Sequence, residues 1–184
     1  MWPFDLRIKE LLLSLKRMSK TTKKPYAVCG ALAMSAHGFT RQTADVDIFV
    51  RDEDRLLWLR AAKKEGLLVD TSHAPSHYMI FSEEHRDLRV RIDMLVPMDA
   101  PEWEAARYSE KKTIGGVRDV RVAKIHFLAA GKFFSTRDKD HQDFWALYER
   151  GLFEPRVVYL LLKSFSIQSA REFARQVAAR GEKL

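Results

Sequence analysis

Two segments of this chain alternate apolar and polar residues strictly enough to settle their local structure. In Asp45-Val-Asp-Ile-Phe-Val, the residues Val46, Ile48 and Val50 fall on one face; in residues 88–96, Leu88, Val90, Ile92, Met94 and Val96 do the same. A period of two marks a strand, because a helix built from the same residues would scatter its apolar side chains around the axis. A chain with two such strands has to build a sheet that buries one face. The opposite face then carries carboxylates: Asp45 and Asp47 on the first strand, and Asp93, beside Arg89 and Arg91, on the second.

Other elements follow from the same reasoning. Strands are predicted at 26–29, 67–69, 77–81 and 117–122, with a turn at His85-Arg86-Asp87. An apolar stripe of Ile8, Leu11, Leu12, Leu15 and Met18 after Pro3 predicts a first helix, followed by a Lys- and Thr-rich loop at 19–25. Helices are predicted at 31–37, closed by Gly38, and at 52–65, capped by an acidic residue and stopped by Gly66. A short helix is expected after Pro101, and from residue 123 the pattern is helical throughout, at 123–134, 139–148, 155–164 and 167–180. The result is an α/β half followed by a helical half, divided as an N-terminal helix and basic linker (1–24), a core (25–122) and a helical region (123–184).

At 184 residues and 46% hydrophobic, the chain is long and apolar enough for one domain with a core that needs no staples. Its lone cysteine, Cys29, has no partner for an internal disulfide. Asp5, Arg7, Lys9 and Glu10 interrupt any signal sequence, and the apolar run 157–162 is far too short to span a bilayer. The expected setting is therefore cytoplasmic, without a membrane. The net charge is +7, unevenly spread: +5 over residues 1–24, −3 over 25–100 and +5 over 101–184. An acidic centre between basic flanks requires a reason, and cations held by the carboxylates supply one.

If the two strong strands lie side by side, Asp45, Asp47 and Asp93 converge on one patch. Hard oxygen ligands of this kind suit Mg²⁺ or Mn²⁺, which can activate an attacking oxygen and stabilise a leaving phosphate. Upstream, Gly30-Ala31 joins a strand directly to a helix, a junction that presents backbone N–H groups to a phosphate. Arg41 and Thr43 place a cation and a hydroxyl just before the acidic pair. His73, His77 and His85 lack partner cysteines, and His73 and His85 sit in segments read as loops, so a zinc site is not expected there.

Gly30-Ala31…Arg41-x-Thr43-x-Asp45-x-Asp47…Asp93 resembles the signature of the polymerase-β-type nucleotidyltransferase superfamily. Lys132…Arg137-Asp-Lys139-Asp140-His-Gln-Asp143 is similar to a segment of its minimal, abortive-infection toxin branch. The resemblance covers about residues 26–150. It implies a mixed β-sheet flanked by helices and an enzyme that moves an NMP from an NTP to an acceptor hydroxyl, releasing pyrophosphate. It also implies roles. Asp45 and Asp47 would hold the metal carrying the triphosphate, while Asp93 would share a second ion and help deprotonate the acceptor. Gly30 and Ala31 would cradle the β- and γ-phosphates, and Lys132 would lend charge. Arg137, Lys139, Asp140 and Asp143 would complete the nucleotide site, with Arg91, on the face of Asp93, countering phosphate charge. The family's second Gly or Ser is Ala31 here, so a hydroxyl contact to phosphate is lost.

The basic flanks point to an anionic acceptor, tRNA or another RNA, with a protein acceptor and an antitoxin partner as further implications of the toxin branch. The alternatives are a non-catalytic nucleotide- or RNA-binding module of the same fold, and a small-molecule (antibiotic) nucleotidyltransferase, whose cationic aminoglycosides would favour an acidic cleft. A sugar-nucleotide site of a glycosyltransferase fits the short chain and the early glycine junction poorly.

Overall fold

A computed structural model of the protein describes residues 6–40, 43, 45–83, 90–97 and 104–184. Chain order is α1 (Leu6–Thr22), β1 (Ala27–Val28), α2 (Gly30–Ala36), β2 (Val46–Phe49), a 3-10 turn (Asp52–Asp54), α3 (Arg55–Lys64), β3 (Leu68–Asp70), β4 (His77–Phe81) and β5 (Ile92–Leu95). A hairpin of β6 (Glu110–Ile114) and β7 (Val117–Val122) precedes α4 (Ile125–Phe134), α5 (Asp138–Glu149), α6 (Pro155–Phe165) and α7 (Ile167–Ala178).

Among the described residues, seven strands form one mixed sheet in the order β3-β4-β5-β2-β1-β7-β6. β2 runs parallel to β5, and β1 runs antiparallel to β2 and parallel to β7. The two alternating segments are thus central neighbours, in the register Val46↔Ile92, Asp47↔Asp93, Ile48↔Met94. Val46, Ile48, Ile92 and Met94 are fully buried. Over that face lie α1 and α3, which pack on each other, with α1 also touching β2 and β7. The α1 stripe read from the sequence is the buried one: Ile8, Leu11, Leu12, Leu15 and Met18. On the opposite face α2 packs on β2 and against α4.

Several boundaries differ from the sequence reading. β6 was not expected, because Glu110-Lys-Lys-Thr-Ile lacks an apolar alternation. It is an edge strand, where lysines discourage pairing with another sheet edge, so charge rather than apolarity marks it. Gly115 and Gly116 turn the hairpin with φ of +54° and +77°, the two positive values a tight two-residue turn requires. A Cβ added at Gly116 meets nothing within 4 Å. Gly116→Ala is therefore expected to cost backbone strain alone, about 1 kcal/mol, seen as a small drop in melting temperature.

At the start of α3, Asp54 does not cap backbone N–H groups with its carboxylate; the buried group instead pairs with Lys24 Nζ at 2.9 Å. The strand expected at 88–96 is reduced to β5, and Leu88, Arg89 and the His85-Arg86-Asp87 turn lie outside the described residues. The helix expected after Pro101 begins outside them, and 104–108 forms turns. In the helical half, Phe133, Phe144 and Phe173 meet edge to face with centroids 5.0–5.7 Å apart, joining α4, α5 and α7. No described helix is long and apolar enough to cross a membrane.

Candidate active site

Cross-strand register places the acidic face in rows. Asp47 lies opposite Asp93, which lies opposite Met79 of β4; one step along, Phe49, Leu95 and His77 form the next row. With Asp45 just ahead of β2, ligand atoms of Asp45, Asp47 and Asp93 all lie within 4.8 Å of one another. Such a donor set fits a hard divalent cation, since oxygen ligands this close otherwise repel.

Repulsion is evident in the central residue. Burial, then the neighbouring charges of Asp45 and Asp93, push the Asp47 carboxyl up to about 7 against the pull of Arg137 and Lys132. Thr43 Oγ1 donates to Asp45 Oδ1. Asp93, only 5% exposed, receives Arg91 Nε at 2.7 Å and His77 Nε2 at 3.2 Å, both on Oδ1. Two donors on one oxygen fix the carboxylate's rotation and direct the other oxygen elsewhere.

Gly30 explains why the junction needs glycine. Its φ is +60°, and a Cβ built there would sit 1.8 Å from Asp47 Oδ2. The backbone of the strand–helix junction therefore touches the central carboxylate directly, which places any phosphate on that backbone beside any ion on that carboxylate.

A third layer comes from α4 and α5. Lys132 Nζ donates to Asp140 Oδ1 at 3.0 Å and to Asp143 Oδ2 at 2.8 Å. Asp140 Oδ2 accepts from Ser135 Oγ at 2.8 Å and Arg137 Nε at 2.6 Å. Burial would raise the Asp140 carboxyl, but the bonds from Ser135 and Lys132 and the lysine's charge hold it below the usual carboxylate range. A carboxyl held down in this way stabilises the fold above its unfolded pKa, and that contribution fades as pH falls through its folded value. Asp140→Asn leaves the enclosed Lys132 with a weakened partner and is expected to cost about 2–3 kcal/mol at pH 7, read from chemical denaturation. The loss should shrink towards pH 3.

These layers enclose a cleft of about 730 Å³ lined by Gly30, Ala31, Thr43, Asp45, Asp47, His77, Arg91, Asp93, Lys132, Arg137, Lys139 and Asp140. A volume of this order is usual for a small-molecule site. An apolar branch of about 300 Å³ adjoins it between Phe49, Leu95, Leu128 and Phe134. Of the residues singled out from the sequence, Arg41 lies outside the described residues; the others are gathered around this cleft. Asp143 reaches it through Lys132, and Arg91 is occupied with Asp93, a contact the sequence reading did not foresee. His77, set aside there as a zinc ligand, opens β4 at the bounds expected for that strand and faces the triad; its only sequence signal was alternation with Tyr78 and Ile80. The N-terminal basic flank does not reach the cleft, because α1 covers the other side of the sheet. Among the described residues, the cleft's Lys and Arg cations are Lys132, Arg137 and Lys139 of the C-terminal region and Arg91.

No protein-family model matches the chain, and no curated protein matches it at a significant level. Solved structures do. A crystal structure of ANT(2'')-Ia in complex with adenylyl-2''-tobramycin aligns with a TM-score of 0.58 at 14% identity, covering 96% of this chain and 99% of that one. The solution structure of the same antibiotic-resistance factor gives 0.56 at 14% identity, over 96% and 93%. JHP933 from Helicobacter pylori gives 0.52 at 17% identity, over 97% and 81%. The chain has a nucleotidyltransferase fold, of mixed α/β class. This bears out the sheet-and-helix architecture that the motif resemblance implied.

Proposed function

We propose that this chain is a metal-dependent nucleotidyltransferase that moves an NMP from an NTP to a hydroxyl of RNA, with tRNA as the first acceptor to test. The observation that carries the reading is the contact of the Gly30 junction with a triad of converging carboxylates. Asp45, Asp47 and Asp93 would hold Mg²⁺ or Mn²⁺, which supplies charge neutralisation at the phosphates and a lowered pKa for the attacking hydroxyl. The rest falls to the chain's own groups. Backbone N–H groups of Gly30 and Ala31 bind the β- and γ-phosphates. Lys132, fixed by Asp140 and Asp143, and Arg137 and Lys139 at the start of α5 bind the triphosphate's charge, with Arg41 and Thr43 completing the site. Asp93, its rotation set by Arg91 and His77, takes the acceptor's proton. The acceptor oxygen bonds to the α-phosphorus as the bond to the bridging oxygen breaks, and pyrophosphate leaves.

Membership of the abortive-infection branch, with a neutralising antitoxin, belongs to the same proposal and is supported by the Lys132…Asp143 segment. A small-molecule acceptor is the second reading, favoured by the fold's likeness to a protein solved with adenylyl-2''-tobramycin. A retired, non-catalytic site is the weaker alternative, since all three mutually repelling carboxylates remain. Salt separates RNA from a neutral small molecule: labelling of RNA should weaken at least about tenfold between 50 and 200 mM salt, whereas a neutral acceptor would be nearly indifferent. The direct test is transfer from each α-labelled NTP, with Mg²⁺, to RNA and in parallel to an aminoglycoside. Label on the antibiotic and none on RNA would overturn the RNA reading.

A further inference from the structure

The sheet face that carries the triad continues past Asp93 onto β4. Register puts Met79 opposite Asp93 and His77 opposite Leu95, and on the outer side Asp70 opposite Met79 and Leu68 opposite Phe81. His77, Met79 and Phe81 therefore share the face of Asp93, while Tyr78 and Ile80 point into the core at 5% and 0% exposure. His77, Met79 and Phe81 keep part of their surface in solvent, and Leu68 is 36% exposed. By contrast, α2 and α4 lie over the β2 side of the triad. A partly exposed strip of imidazole, thioether and phenyl groups thus runs beside a buried carboxylate, with the His77 ring 5.4 Å from that of His73.

We propose that His77, Met79 and Phe81 form the acceptor platform, and that its occupant is the terminal nucleotide of a single-stranded RNA, its base lying flat on the strip. This rests on the nucleotidyltransferase reading above, and it adds where and how the acceptor is held. The first argument is stereochemical. In-line displacement at the α-phosphorus puts the entering and leaving oxygens on opposite sides. Gly30, Lys132 and Arg137 take the leaving pyrophosphate on one side of the triad. The entering hydroxyl then arrives from the other side, over β5 and β4.

The second argument is chemical. Aromatic rings hold unpaired bases by stacking, without reading their edges, and a polarisable thioether packs against the same ring faces. His77 ends the strip with Nε2 on Asp93 Oδ1 at 3.2 Å, so a base stacked there holds its ribose near the proton-accepting carboxylate.

The third argument is charge. Beyond the triad, Asp140 is the only carboxylate among the described residues lining the cleft, and Lys132, Ser135 and Arg137 already occupy it. Asp70, at the far edge of the strip, accepts from Ser72 N. A polycationic acceptor finds no uncommitted carboxylate here, whereas an anionic backbone meets the charge of Arg91, which sits beside Asp93 on the acceptor side of the triad.

The test uses the full chain, an α-labelled NTP, Mg²⁺ and a short single-stranded RNA ending in 5-iodouridine. Irradiation is expected to crosslink that terminal base to β4, mapped by mass spectrometry to residues 77–81. Met79→Ala and Phe81→Ala are each expected to raise KM for the RNA tenfold or more, while the NTP dissociation constant moves less than twofold. Crosslinks outside β4, or RNA KM values within twofold of wild type, would overturn the platform while leaving RNA transfer intact. If wild type labels no RNA but does label an aminoglycoside or a protein, the occupant is wrong. Crosslinking uses the unmutated chain, so it decides the matter even where a variant fails to fold.

Discussion

Asp47→Asn is expected to abolish NMP transfer, by roughly a thousandfold or more, and at the same time to stabilise the metal-free protein at pH 8. The loss follows from removing the central carboxylate of the proposed three-carboxylate metal site. The gain follows from the pKa. Burial and the charges of Asp45 and Asp93 lift the Asp47 carboxyl to about 7, above the ordinary value of 3.8. Between those values the folded chain binds a proton that the unfolded chain has released, so stability falls as pH rises through this window. What is fully present below about pH 4 is lost above about pH 7. Asparagine removes the charge and its pH slope, a gain on the order of 2 kcal/mol at pH 8. Mg²⁺ acts on the same repulsion. It should raise the melting temperature of wild type at pH 8, do much less at pH 5.5 where protons compete, and barely affect the variant. Thermal melts at the two pH values, with and without Mg²⁺, check all of this. A metal-free variant less stable than wild type at pH 8 would contradict it.

Gly30→Ala is expected to be nearly as damaging to activity for a different reason. The new methyl would lie 1.8 Å from Asp47 Oδ2 and 2.7 Å from its Cγ, so the carboxylate must leave its place in the triad. The φ of +60° adds strain for any L side chain, about 1–2 kcal/mol. Transfer should fall by roughly a hundredfold or more, with weakened Mg²⁺ stabilisation as the mark of a displaced ligand. Gly66→Ala is the matched control. Gly66 also has positive φ, +75°, but nothing lies within 4 Å of an added Cβ. It should lose similar stability and keep its activity, as initial rates at saturating NTP would establish.

These two residues also mark how far the sequence could be read. Asp45, Asp47 and Asp93 were legible because period-two alternation determines which face a strand residue occupies, and two strong strands tend to be neighbours. The junction at Gly30 was legible as a turn; that its missing Cβ makes room for Asp47 was not, because the contact spans seventeen positions and needs the register of β1 on β2. His77 was missed for the same kind of reason. Its place beside Asp93 exists only once β4 pairs antiparallel with β5. In the Lys132…Asp143 segment, the grip of the two aspartates on the lysine was not legible, because spacing alone does not distinguish such an ion-pair geometry. β6 escaped because an edge strand is chosen for charge. Net charge was the least informative guide, since the basic N-terminal helix turned out to cover the far face of the sheet.

The most direct measurement is a coupled count, in one reaction, of labelled NMP on RNA and pyrophosphate released. The expected result is equal amounts of the two, dependent on Mg²⁺ and absent in Asp47→Asn. Nucleotide binding with neither product, under conditions where the protein is folded and Mg²⁺-saturated, would contradict the account at its centre.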